Sequence, residues 1–267
     1  MTKLVHHLFT VSLTAALATA CADLPEDPAP VAVTEAAVHG PQGVAPLPCF
    51  QDTPSIAAAA ATRLPAGTRV RALFSTESGA QVYRCDRNAQ GVPVWGLRTP
   101  LAHLVPSKAT RQKIGTPALA YHHRSDFGGL MTATELSALG LVDAAGVVTT
   151  APVWDIVFPA QGLPQIVEER ETVAGRVLAQ DVIGTGNIPN LLLEVRGRAV
   201  SGLADGIVLG ATGVADPDQD PIASSDYILR WNLRGGVAPA AASCTDATLG
   251  TESVQAYSAD YYFLDTP

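Results

Sequence analysis

Tyr227-Ile-Leu-Arg-Trp-Asn-Leu-Arg234 is the stretch whose reading decides the fold. Tyr227, Leu229, Trp231 and Leu233 occupy every second position, and Ile228, Arg230, Asn232 and Arg234 alternate with them. A period of two marks a β-strand, because successive side chains leave a pleated chain on opposite faces. The first set is expected to be the core face. Tyr257-Ser-Ala-Asp-Tyr-Tyr-Phe263 repeats the pattern, with Tyr257, Ala259, Tyr261 and Phe263 on one side and Ser258, Asp260 and Tyr262 on the other. Aromatic faces of this kind bury well only under a second layer, so both segments are expected to be interior strands.

Working outward, short alternating runs punctuated by Gly, Pro and Asp read as further strands at 68–74, 80–87, 92–97, 153–158, 172–182, 191–200 and 206–209. Thr132-Ala-Thr-Glu135 is the clearest helical signal: Thr132 is placed to cap, Glu135 to bond back, and Gly140 to end the helix in the left-handed conformation. It lies in a stretch, 125–150, that reads as an insertion between strands, with its own turn at Asp143-Ala-Ala-Gly146. The expectation is an all-β fold, a single antiparallel β-sandwich or barrel-like domain over 64–267 with a short helical insertion.

The N-terminus reads differently. Lys3, an apolar run over 8–20 too short to span a bilayer, and the small residues Ala18-Thr19-Ala20 form a signal peptide, 1–20. Leu17-Ala-Thr-Ala-Cys21 resembles the lipobox of bacterial lipoproteins, which implies lipidation of Cys21. The alternative is ordinary cleavage after Ala20. Ala22 at the next position points to outer-membrane sorting where a cell has two membranes. Residues 21–63, with Pro25, Pro28, Pro30, Pro41, Pro46 and Pro48, read as a disordered tether. A formal charge of -8 and a pI near 5.1 disfavour nucleic acid as a partner.

Several blocks resemble, in order, the domain of unknown function 3455 family, secreted proteins of bacteria and fungi without an established activity. They are Gly79-Ala-Gln-Val-Tyr-Arg-Cys85, Val94-Trp95, Pro100-Leu-Ala-His-Leu104, Ala151-Pro-Val-Trp154, Ile188-Pro-Asn-Leu-Leu-Leu193, the Arg-x-Asn-x-x-Gly-Gly block from Arg230, Cys244, and the terminal aromatic strand. The likeness runs from about Leu64 to the end. It includes both Cys85 and Cys244, which implies a disulfide between them. Should Cys21 escape lipidation, four cysteines allow three connectivities and Cys21 with Cys49 becomes the natural second bridge. The chain departs from the family after Trp154, at Asn190 and Leu233, and through the 125–150 insertion.

The motifs of common enzymes are missing: no Gly-x-Ser-x-Gly, His-Glu-x-x-His, Cys-x-x-Cys or Walker loop occurs. Ile183-Gly-Thr-Gly-Asn-Ile-Pro189 lacks the third glycine of a dinucleotide loop and reads as a turn. His122-His-Arg-Ser-Asp126 with His103 suggests a metal or acid/base pair, although neighbours on a strand point to opposite faces. A candidate ligand groove is formed from His123, Trp154, Arg230, Asn232 and Asp260. Asp216, Asp218, Asp220 and Asp226 make an oxygen-rich acidic turn that departs from a calcium loop at Pro221 and Tyr227, so calcium is an outside candidate and no other cofactor is expected. The expected function is an exported, lipid-anchored outer-membrane or secreted module, noncatalytic, that binds an envelope ligand or contributes to envelope structure. The alternative is an extracytoplasmic hydrolase or isomerase with a site near His123, Trp154 and Arg230.

Overall fold

The structure is a computed structural model that describes residues 46–117, 119–128, 130–160, 163–202, 206–209, 220 and 222–267. The chain runs α1 (Pro54–Arg63), β1 (Arg69–Arg87), β2 (Pro93–Pro106), α2 (Lys108–Ile114), β3 (Leu119–Arg124), α3 (Ala133–Ala138), β4 (Pro152–Ala160), β5 (Leu163–Asp181), β6 (Asn190–Gly202), β7 (Gly206–Leu209), β8 (Tyr227–Gly235) and β9 (Glu252–Asp265). The strands hydrogen-bond in the order β5-β4-β3-β2-β1-β9-β8-β6, and β6 returns to β5. Every pairing is antiparallel, so the sheet closes as an eight-stranded barrel. Closure satisfies the backbone groups that an open sheet leaves at its edges. One edge of β6 pairs with β5 and the other is shared: Leu191–Glu194 pairs with β8, and Ala199–Gly202 with the short β7.

An eight-stranded barrel is just wide enough for side chains to fill. Here the interior holds Phe74, Leu104, Trp154, Ile156, Val173, Leu193, Ile228, Tyr257, Ala259, Tyr261 and Phe263. The aromatic rings meet edge to face, Trp154 with Phe263 at 6.3 Å and Phe74 with Phe263 at 5.8 Å between centroids. The alternation expected for 257–263 is therefore the observed one. In β8 the structure differs from the expected single core face, because both faces are buried. Ile228 packs inside the barrel, whereas Leu229 and Trp231 belong to a second cluster on the outer wall with Val70, Leu192, Tyr262 and Leu264.

What covers that outer wall is α1. Ile56 and Ala60 pack onto the cluster, and Phe50 meets the Trp231 ring edge-on at 5.5 Å. The Asp181 carboxylate at the end of β5 accepts from the Ile56 N–H at 2.8 Å and the Ser55 N–H at 3.3 Å, closing orphan donors of the first helical turn. Residues 46–63, the end of the segment expected to be a tether, are thus part of the folded body. The run Pro54-Ser-Ile-Ala-Ala-Ala-Ala-Ala-Thr-Arg63 is alanine-rich and strongly helix-prone, a signal masked by the prolines that precede it.

The insertion follows its sequence. Thr132 Oγ1 accepts from the Glu135 N–H at 3.2 Å, Glu135 Oε2 accepts from the Thr132 N–H at 2.6 Å, and Gly140 has φ 65°. Met131, Leu136, Leu139 and Leu141 pack onto Val153, Ala174 and Ala199 on the outside of β4, β5 and β6. Gly197 permits this approach, since a Cβ there would lie 2.2 Å from the Leu139 carbonyl oxygen. Arg170 clamps the insertion to the wall, bidentate to Asp155 at 2.6 and 2.7 Å and also bonded to Glu135.

Cys85 and Cys244 are bridged, closing 159 residues. The bridge ties β1 to the β8–β9 connection, where Trp95 Nε1 also donates to Ser243 Oγ at 3.0 Å. Cys49 is itself disulfide-bonded. Cys21, the expected signal peptide and the expected tether before residue 46 lie outside the described residues.

Candidate functional site

Two places concentrate chemistry, one on each side of the barrel wall. Inside, His122 on β3 and Trp154 on β4 are ladder partners whose rings stack at 4.4 Å with an interplanar angle of 11°. The His122 Nδ1 hydrogen bonds to the Val153 carbonyl at 2.9 Å. Burial pushes the imidazole pKa down to about 3, with Arg230 and His123 adding to the effect, so His122 is neutral at neutral pH. Arg230 on β8 stands opposite Tyr261 on β9 and is hydrogen-bonded to it. Its Nη2 donates to the Pro189 carbonyl at 2.8 Å. The Tyr257 and Tyr261 hydroxyls lie 3.0 Å apart, and the Tyr83 hydroxyl donates to the Gly236 carbonyl at 2.7 Å. Burial raises the pKa of all three phenols, that of Tyr261 well above its ordinary value, so each stays protonated.

Gly235 and Gly236 bring the backbone close to this cluster. Both have positive φ, and a Cβ on Gly236 would sit 3.0 Å from Gln81 Cγ and Tyr257 Cβ. The preceding turn, 183–189, is the segment that mimics a dinucleotide loop. It is a turn, and Asn187 braces it by accepting from the Gly235 N–H at 2.9 Å while donating to the Ile183 carbonyl at 2.9 Å.

Outside, a groove of about 610 Å³ is lined by Leu101 and His103 of β2, Tyr121 and His123 of β3, Asp155 of β4 and Leu130 of the insertion, and it reaches Ala102 and His122 of the interior face. It lies where β2 and β3 pair through only Ala102 with His122 and His103 with Tyr121. The imidazoles and the carboxylate here are each bonded within the protein. His103 Nδ1 meets Glu77 Oε2 at 2.6 Å, His123 Nδ1 meets the Arg124 carbonyl at 2.9 Å, and Asp155 holds Arg170 and the Thr172 hydroxyl.

The residues of the sequence-derived groove separate across this wall. Trp154 and Arg230 face the interior; His123 faces outward, paired with Val153 under the insertion. Asn232, at φ 54° in the bulge of β8, donates to Asp260 at 2.7 Å, and Asp260 also accepts from Ser75 Oγ at 2.6 Å. Of the acidic turn, Asp216 and Asp218 lie outside the described residues. Asp226 accepts from the Thr266 hydroxyl at 2.6 Å, and no metal-binding group of three occurs among the described residues. Sequence reasoning missed His122, Tyr83 and Gln81 as members of the interior cluster. The aromatic face of β9 marked half of it, but the partners come from strands distant in sequence.

A family profile described as a protein of unknown function, DUF3455, matches residues 65–265. The chain belongs to this family. The match spans the whole barrel and begins just after α1, so the family and the closed β-domain coincide. No curated protein and no solved structure matches the chain.

Proposed function

We propose that the chain is an exported cell-envelope protein whose barrel is a noncatalytic scaffold presenting the outer groove to a ligand. The observation that carries this reading is the division of chemistry across the wall: the outward His123 and the inward Trp154 and Arg230 do not meet in one pocket. Turnover by an acid–base or nucleophilic route needs such groups within hydrogen-bond reach of one substrate. The groove instead offers polar groups held by internal bonds beside Leu101, Tyr121 and Leu130, a lining suited to a ligand with an apolar body and a polar head. Tyr121 and Leu130 are 38% and 52% exposed, so truncating them leaves the core intact. Native mass spectrometry of protein purified from the envelope is expected to find a bound small molecule that is lost in Tyr121→Ala/Leu130→Ala. A turnover found in an unbiased hydrolase and isomerase screen and abolished by His123→Gln would overturn the reading.

The Cys85–Cys244 bridge supports an oxidising, extracytoplasmic setting. This reading has two forms, Cys21 lipidated or Cys21 bridged to Cys49, and one sulfur cannot serve both. Lipidation takes the sulfur that a bridge from Cys49 to Cys21 needs, so nonreducing peptide mapping separates the two states. Cys21→Ala is expected to leave the membrane fraction on a carbonate wash; retention would remove the anchor from the proposal.

A further inference from the structure

Arg230 is a positive charge enclosed by the barrel, with 7% of its surface exposed. The groups that act on its charge are the phenols of Tyr261, Tyr257 and Tyr83, all neutral for the reason given above. Arginine keeps its proton even in such surroundings. Its Nη2 is bonded to Pro189, but Nε has no partner. Two more buried donors nearby are equally unanswered. They are Trp154 Nε1, whose ring lies 5.8 Å from that of Tyr261, and Gln81 Nε2, whose stem flanks Gly236 and Tyr257. The cluster therefore has a surplus of donors and no carboxylate acting on its one positive charge; Glu171, the buried carboxylate on the interior face of β5, accepts instead from the Ile222 and Ala223 N–H groups. Water would satisfy an N–H but leave the charge unpaired in a dry interior, where that is costly.

We propose that the barrel interior beside Arg230 holds a small monoanion, a carboxylate or a halide, which accepts from Arg230 Nε and Trp154 Nε1 and supplies the counter-charge. A single negative charge fits because the cluster has one cation; His122 stays neutral. A dianion would replace one unpaired buried charge by another. The outer groove reaches His122, which stacks on Trp154, but this proposal rests on Arg230 and Trp154 and stands or falls without that groove.

The test uses the full mature chain dialysed into a HEPES buffer, whose anion is too large to enter. Sodium formate, sodium chloride and sodium sulfate are then titrated while Tm is followed at constant ionic strength. Formate or chloride is expected to raise Tm along a saturable curve, and the one with the lower half-point identifies which anion class the site takes. Sulfate is expected to give only the unsaturable drift of an excluded salt. Arg230→Met removes the saturable rise and keeps the drift. Trp154→Phe retains the ring, loses the N–H, and raises the half-point roughly tenfold. An anion retained through purification appears as a mass adduct on the undialysed wild type and not on Arg230→Met. The proposal is overturned by equal Tm curves for wild type and Arg230→Met, or by a wild type with neither a saturable rise nor an adduct. If Arg230→Met does not fold, an unchanged half-point in Trp154→Phe overturns it alone.

Discussion

Arg230 and Trp231 are neighbours on one strand, yet they sit in opposite kinds of environment. Arg230 points into the barrel, where the wall supplies phenols, an imidazole and a guanidinium among the apolar side chains. Trp231 points outward, where α1 and Phe50 convert exposed wall into a second cluster that is aliphatic and aromatic and holds no charged side chain among its named members. The inside of this barrel is thus the more polar of the two buried layers. The difference shows that burial and stabilisation are separate properties: the outer layer gains from every contact, whereas the inner one carries a desolvated charge.

The largest expected effect tests whether the barrel end near Arg230 depends on its staple. Reducing Cys85–Cys244 releases 159 residues of closed chain, a loss of up to about 5 kcal/mol in the chain-entropy account. Thermal melts of wild type and of Cys85→Ser/Cys244→Ser measure it, since reductant would open the Cys49 bridge as well. Next come the two tryptophans. Trp154→Ala empties the barrel centre and is expected to cost about 5 kcal/mol in denaturant titrations. Trp231→Ala is expected to cost about 3 kcal/mol, because α1 can settle into the space. A reversed order would mean that the outer layer, not the barrel, is the principal core.

His122 adds a pH arm. Its folded-state pKa, about 3, lies below the unfolded value near 6.5, so the unfolded chain binds the proton first and stability falls as pH drops from 6.5 towards 3. The slope approaches about 1.4 kcal/mol per pH unit. Between pH 6.5 and 5, before carboxylates titrate, urea midpoints of wild type are expected to fall while those of His122→Gln stay flat. Arg230→Met in anion-free buffer is expected to lie between no change and a gain of about 2 kcal/mol, since an apolar side chain of similar volume replaces a buried charge. A loss larger than that of Trp231→Ala would break the comparison outright. The smallest effect belongs to the insertion: Thr132→Ala removes a helix cap and is expected to cost about 1 kcal/mol by the same titration.

The amino-acid sequence by itself determined most of the strand segments, though β3 was not among them and 68–74 and 80–87 are one strand, β1; it also determined the alternation in 257–263, the capped helix at Thr132 and, through the family likeness, the disulfide. These are local patterns or pairings carried by chemistry that two residues express on their own. It did not reveal the facing of 227–234, because a period of two says only that two faces differ, and here both are covered. Nor did it join His122 to Arg230 and Tyr83, which stand on β3, β8 and β1 and meet only when the sheet closes. Only the tertiary structure decided which face became the inside. Closure turns Arg230 towards Tyr261, and α1, from a stretch that reads as a tether, covers the side that Trp231 occupies.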